Sequence, residues 1–552
     1  MKNVTQLEDA PARLGASSRA HTPDIEERIL KLFICPEDAV PRGAETISNM
    51  VHALANETRV SSDVSYDALT KLFMESRIPS EPEDIEQYLC DLDNRVVAHS
   101  TNTGSPRFVG HMTSKLPRFM SELAKLVVGL NQNVVKAETA KAATPYERQA
   151  IAMVHRLIFE QSDEFYREHI QNTSSTLGAV ASGGTLANLF ALWCARNHVL
   201  GAGNESQGAE TEGLAAALKA HGYSGAVIIG SALMHYSLEK AAGLMGLGTA
   251  SLIKVPVDAS NRVIPAKMRT AIEDARANQQ AIVAVIGVAG TTDTGAIDSL
   301  LEIAQLAQEY GIHFHVDAAW GGPVLFSRQH RHKLQGITGA DSVTIDGHKQ
   351  LYLPMGIGLT IFRNPTQARA VEKQARYIIR PRSVDLGRRA IEGSRPSAAI
   401  YLHAGLNILG ARGYEYLMDQ GISKAAYFAD RVNTMPEFEL LVEPEINIVV
   451  YRYVPEQLRD KAAGKALTPE DNLLINDWNT ALQKIQRQSG NSFVSRTALS
   501  ATCYGPEPAI ISLRAIFANP LTRLSDIELV LNEQLQIARS MPAGSFSLRQ
   551  AV

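Results

Sequence analysis

The chain reads as an α/β protein built on a mostly parallel sheet. Three features predict this. Apolar runs of four or five residues recur between Leu177 and Phe362. Each closes on a polar residue or a glycine-rich turn, and segments with helical spacing lie between them. Near-continuous apolar runs, without alternation, suit strands covered on both faces.

Taken in order, residues 1 to about 24 are polar, and Asp24 to about Met74 is helical in pattern (IEERILKLFI, ISNMVHALANE, YDALTKLFMES). Ser80-Glu81-Pro82-Glu83-Asp84 opens another helix, with proline near its start and acids in the first turn. Because no strand signal precedes it, residues 1–115 read as a helical N-terminal arm that packs on a larger domain or a partner subunit. A long helix runs from about Tyr146 to His169. Strands follow at Leu177–Ala181, Ala226–Ile229, Leu252–Val255, Ile282–Ile286, Ile312–Val316, Ser342–Ile345 and Leu359–Phe362, with helices between them, as repeated βαβ units require. Residues 116–385 thus form a large domain. From 386 to 552 the texture changes. Helices at Ser397–Gly410, Ala426–Thr434, Asp471–Ser489 and Leu524–Arg539 mix with strands at Phe438–Leu441, Ile446–Arg452 and Ile510–Arg514, giving a small α+β domain. Gly243-Leu-Met-Gly246-Leu-Gly248 lacks the order of a dinucleotide loop and lies at a helix end, so it carries no such reading.

Composition narrows the function classes. A hydrophobic content of 45%, a charged content of 20% and a net charge of -4 describe a soluble globular protein with no bulk attraction to nucleic acid or anionic membrane. The first twenty residues lack the apolar core of a secretory signal, and Ala281–Gly290, the most apolar stretch, is too short to span a bilayer. Cys35, Cys90, Cys194 and Cys503 show no metal spacing and read as reduced thiols, which places the protein in the cytoplasm.

The chemistry concentrates between Ile312 and Gly358. One run delivers Asp317 and the next delivers Asp346-Gly347-His348-Lys349, at the carboxyl ends of strands where parallel sheets place reactive groups. A carboxylate and an amine presented together meet the needs of pyridoxal 5'-phosphate, which requires a lysine for its aldehyde and an acid to keep its pyridine nitrogen protonated. Taken alone, the two residues read equally well as a helix cap and a solvated lysine. Upstream, Ser182-Gly183-Gly184-Thr185 opens a helix, and such a turn offers free backbone N–H groups and the positive helix end to a phosphate. It reads equally as a plain turn with a threonine cap. His235 follows one strand, and Gly290-Thr291-Thr292 another.

The order of these features, with the stretches FVGHMTS, NQNVVKAET, SGGTLAN, GVAGTTDTGAID, FHVDAAWGG, DSVTIDGHKQLY and EGSRP, resembles the group II pyridoxal-phosphate-dependent amino-acid decarboxylases. Within them it is most similar to the bacterial aspartate 1-decarboxylase branch, often described as glutamate-decarboxylase-like. The resemblance runs from about residue 25 to the C-terminus. It implies the aspartate-aminotransferase-like transferase fold of type I, with a seven-stranded sheet and homodimers whose active sites lie at the subunit interface. It further implies that Lys349 joins the cofactor, that Asp317 faces the pyridine nitrogen, and that His235 stacks on the ring. Gly184, Thr185 and His348 hold the phosphate, with Thr344 nearby, and Thr292 and Ala319 contact the ring and its substituents. Where many relatives carry asparagine, this chain has Asp346, whose charge disfavours direct phosphate contact and suits orienting His348 instead.

Decarboxylation needs the breaking Cα–carboxylate bond held perpendicular to the ring, and a bidentate arginine does this well. The resemblance assigns that task to Arg395, and the proton returned to Cα to Tyr377. A second carboxylate on the substrate calls for further cations, for which Arg107 and His111, or Arg380 and Arg382, are the candidates. The resulting expectation is conversion of L-aspartate to β-alanine and CO2, supplying a pantothenate precursor, with no metal and no nucleic-acid or membrane partner. Glutamate decarboxylation to 4-aminobutyrate, transamination, and a non-catalytic protein of the same fold are the alternatives.

Overall fold

A computed structural model describes residues 29, 32–33, 43–203, 206–374 and 383–541. They fall into two compact units. One is drawn from Met1–Asn56 and Asp67–Ser100, the other from Glu57–Tyr66 and Thr101–Val552.

The first unit is helical in its described residues. The helix expected after Ser80 begins at Ile85, because Asp84 in extended conformation caps it, its side chain accepting from the Glu86 N–H. Thr46 Oγ1 donates to Glu86 Oε2 at 2.8 Å, tying this helix to Ala44–Asn56. The Ala44–Asn56 helix buries none of its residues. The segment IEERILKLFI falls almost wholly outside the described residues.

The second unit contains both sheets. The larger has seven strands: β1 (Gly178–Ala181), β2 (Gly225–Ser231), β3 (Leu252–Val255), β4 (Gln280–Val288), β5 (Phe314–Asp317), β6 (Ser342–Asp346) and β7 (Gly358–Phe362). Their order across the sheet is β1-β7-β6-β5-β4-β2-β3. Only β7 runs against its neighbours. Each run expected as a strand therefore becomes one. β5, β6 and β7 are buried at every position, which is why they read as unbroken apolar stretches. Register places the site: Asp317 pairs with Val288 on β4 and Thr344 on β6, so the strand ends bearing the polar groups lie side by side.

The smaller sheet is antiparallel, in the order β10-β11-β9-β8, from β8 (Phe438–Val442), β9 (Ile448–Tyr453), β10 (Ser495–Leu499) and β11 (Ile510–Ile516). Phe428, Tyr451, Phe517, Val530 and Leu531 form its core with the flanking helices. Trp320 Nε1 donates to Asn447 Oδ1 at 3.0 Å, and the Tyr352 hydroxyl donates to the Ala518 carbonyl at 2.7 Å, joining the two sheets.

Three elements differ from the sequence reading. The helix expected to reach His169 ends at Phe159, where Glu160 turns left-handed (φ 45°), and a second helix, Asp163–His169, restarts with Ser162 as its cap. The helix expected from Ala426 begins sixteen residues earlier, as Gly410–Thr434. β10 was not expected at all. Its residues SRTAL keep exposed positions in alternation and give no apolar run.

Among the described residues, no helix is long and apolar enough to cross a membrane. No cluster of three metal-ligating side chains occurs among them either.

Candidate active site

A cavity of about 220 Å³ opens at the carboxyl ends of β4, β5 and β6, lined among others by Gly184, Thr185, Asn188, His235, Thr292, Asp317, Ala319, Asp346, His348 and Lys349. The Gly183-Gly184 turn forms one wall. Gly183 sits at φ +107°, a conformation L side chains rarely adopt, and a Cβ on Gly184 would lie 2.7 Å from Asp346 Oδ2. The turn leads straight into the Gly184–Val199 helix, whose first backbone N–H groups have no partner within the helix. Glu392 accepts from both the backbone N–H and the hydroxyl of Ser182, at 2.9 and 2.7 Å, fixing the turn from outside.

Asp317 lies at the back, nearly fully buried. Its Oδ2 accepts from Asn188 Nδ2 at 3.0 Å and its Oδ1 from the Ala319 N–H at 3.1 Å. Lys349 enters from the loop after β6, with Nζ 3.0 Å from Asp346 Oδ2. His348 donates from Nδ1 to the Ile357 carbonyl at 2.9 Å, which turns Nε2 towards Asp346, 3.8 Å away. His235 Nδ1 meets the Ser237 hydroxyl at 2.9 Å, and burial is the main cause that lowers its pKa, opposed by the nearby Asp317.

A glycine turn at a helix start, a buried carboxylate at the back and an amine at the front, paired with Asp346, fit pyridoxal phosphate. The dianionic phosphate would find N–H donors at the turn, the ring nitrogen an anion in Asp317 and the aldehyde an amine in Lys349. Asp346 is the one misfit, an anion beside the turn.

The other expected residues are placed as follows. Thr344 is fully buried in β6 behind the cavity, its hydroxyl without a partner. Arg107 pairs with Asp526, Nε to Oδ1 at 3.6 Å, and does not line the cavity. Arg395 does not line it either. Its guanidinium is committed to Glu147, with Nη1 donating to Oε2 at 2.6 Å, and both side chains are buried. His111 stands close enough to Arg514, Lys349 and His348 that, after the larger effect of burial, all three lower its pKa. Tyr377, Arg380 and Arg382 lie outside the described residues.

Two residues escaped the sequence reading. Asn188 touches Asp317 from within a helix. Arg514, on β11, donates from Nη1 to Ser495 Oγ at 2.9 Å, makes no ion pair among the described residues, and leaves Nε buried without a partner. A charge inside the apolar run IISLRAI was the available signal, since an arginine is seldom buried without a task.

Residues 68–454 match the conserved domain of pyridoxal-dependent decarboxylases. The chain belongs to that family. It is 42% identical over 533 residues to an aspartate 1-decarboxylase of Aliivibrio fischeri, covering 95% of this chain and 97% of the relative. It is 28% identical to the cysteine sulfinic acid decarboxylase of Mus musculus, over 84% of this chain and 88% of that one. A crystal structure of mouse CSAD superposes with a TM-score of 0.78 at 26% identity, covering 91% of this chain and all (100%) of the other. The protein is therefore a pyridoxal-phosphate-dependent amino-acid decarboxylase with that family's fold.

Proposed function

We propose that this decarboxylase acts on L-aspartate, releasing CO2 and leaving β-alanine. Arg514 carries the reading of an acidic substrate: it makes no ion pair among the described residues, and its Nε is buried without a hydrogen-bond partner. Asp293 acts on its charge from a distance, and Arg514 acts with Lys349 on His111, so it is a cation open to an anion. The 42% identity to an aspartate 1-decarboxylase along nearly the whole of both chains supports aspartate over its homologues.

When bound, pyridoxal phosphate supplies an aldehyde and an electron-withdrawing ring that accepts the electron pair left as CO2 departs. The chain's residues supply the rest. Lys349 is the amine that joins the cofactor, and Asp317 holds the proton on the ring nitrogen. His235 covers the ring face, while Gly184, Thr185 and His348 hold the phosphate and Thr292 and Ala319 flank the ring. Arg395 is committed to Glu147, Arg514 receives the carboxylate of the substrate side chain, and Tyr377 returns the proton to Cα.

The protein works as a homodimer in the cytoplasm, with its active site at the subunit interface; the chain divides into a helical arm (1–115) that meets a second copy, a large domain (116–385) and a small domain (386–552). The exposed apolar side chains of the helical unit support this, with Met74 77% and Ile78 93% exposed.

Measuring CO2 release from L-aspartate, L-glutamate, cysteine sulfinate and aromatic amino acids tests the substrate. Aspartate is expected to give the highest kcat/KM, and equal or faster turnover of glutamate or cysteine sulfinate overturns the assignment.

A further inference from the structure

Behind Asp317 runs a continuous line of buried polar side chains that begins at Asn188 on the cavity wall. Asn188 Nδ2 donates to Asp317 Oδ2 (3.0 Å) and to Ser237 Oγ (3.1 Å). Asn188 Oδ1 lies 3.0 Å from His315 Nε2, His315 Nδ1 lies 2.8 Å from Ser342 Oγ, and Ser342 Oγ lies 2.8 Å from His313 Nε2. All six residues are buried.

The direction of every proton in this line follows from its end. A carboxylate only accepts, so the amide nitrogen of Asn188 must face Asp317 and its oxygen must face His315. That oxygen accepts only if His315 carries a proton on Nε2. Burial lowers the pKa of His315 to about 4, so its Nδ1 holds a lone pair and must accept from the Ser342 hydroxyl. The Ser342 oxygen in turn accepts from Nε2–H of His313, whose pKa burial also lowers to about 4. At the far end His313 Nδ1 faces Asp341 Oδ2 at 4.0 Å, beyond hydrogen-bond reach, with His198 and Arg363 the other charged or titratable neighbours. Reversing any link would set two acceptors against each other at Asn188 or at Asp317.

The second arm is equally constrained. Ser237 Oγ accepts from Asn188, so its hydrogen points to His235 Nδ1, 2.9 Å away, which also accepts the Ser237 N–H at 3.3 Å. The proton of His235 therefore sits on Nε2. One amide orients both the acid and the imidazole that meet the cofactor ring.

We propose that Asn188 is the positioning residue that aims Asp317 and His235 together, and that the donor chain His313–Ser342–His315 fixes its amide. The proposal rests on the family's cofactor and on Asp317 facing the ring nitrogen. Hydrogen bonds to charged groups are the stronger class, and aligned chains reinforce one another.

The test compares Asn188→Ala, Ser342→Ala and Asp317→Asn with the parent, reading the dissociation constant for pyridoxal phosphate by equilibrium dialysis, the visible band of the holoenzyme, and the unfolding midpoint of the apoprotein. Asn188→Ala is expected to weaken cofactor binding by about tenfold or more and Ser342→Ala by about threefold, from the usual range for charged hydrogen bonds. Both should move the visible band in the direction seen for Asp317→Asn while the apoprotein unfolds close to the parent. Ser342→Ala removes one oxygen from a packed strand and decides the matter alone if Asn188→Ala does not fold. Parental binding and spectrum in Ser342→Ala and Asn188→Ala, with Asp317→Asn altered, overturns the proposal. Parental behaviour of Asp317→Asn overturns the role of Asp317 and the proposal with it.

Discussion

Lys349 Nζ lies 3.0 Å from Asp346 Oδ2, and the other oxygen of that carboxylate is buried without a hydrogen-bond partner. The amine proposed to join the cofactor is thus held by an anion set against the glycine turn proposed for the phosphate. Asp346→Asn keeps the shape and removes the charge. Repulsion between like charges in a partly desolvated site falls off slowly, so the variant should retain pyridoxal phosphate about three- to tenfold longer on dialysis. Faster loss of cofactor contradicts this.

Arg514 and Arg395 should separate cleanly by variant. Arg514→Gln removes a cation that makes no ion pair among the described residues and acts on His111. It should lower kcat/KM for aspartate by about ten- to a hundredfold, with the apoprotein's stability little changed. Arg395→Gln instead strands Glu147 as a buried unpaired charge, costing about 3–5 kcal/mol of stability. Urea unfolding and steady-state kinetics on both variants check the contrast. A destabilised Arg514→Gln with unaltered kcat/KM would reverse the two roles.

Acid should weaken the fold in a defined window. Burial holds His155, His313 and His315 neutral, each with its pKa lowered from 6.5 to about 4. Between those values the unfolded chain binds protons that the folded chain refuses, so stability is complete above about pH 6.5, falls as pH drops, and levels off below about pH 4. Each site contributes on the order of 3 kcal/mol across the window. The urea midpoint should drop steeply from pH 7 to pH 5, and His313→Phe should flatten that slope. A midpoint constant over this range is the contrary result.

The fold was legible in the sequence wherever a strand is covered on both faces. β5, β6 and β7 bury every residue, so their apolar runs stand out, and the groups at their ends follow in register. β10 was illegible because Ser495, Arg496 and Thr497 keep partly exposed positions and break the run. The split at Glu160 was hidden because a left-handed glutamate carries no glycine to mark it. Of the site, Gly184, His235, Asp317, His348 and Lys349 stand out at strand ends and turns, and the roles expected of them come from the family resemblance. The pairing of Arg395 with Glu147, 248 residues apart, is a tertiary contact with no local signature. Asn188 sits on a helix buried on several sides, where no amphipathic stripe singles out a polar residue.

The measurement that reaches deepest is the behaviour of Lys349→Ala. With the amine at 349 removed, the purified protein should lack the visible band that borohydride abolishes in the parent, and CO2 release from aspartate should fall by several orders of magnitude. A Lys349→Ala variant that keeps the band and turns over aspartate as fast as the parent would show that the amine beside Asp346 is not where the chemistry begins.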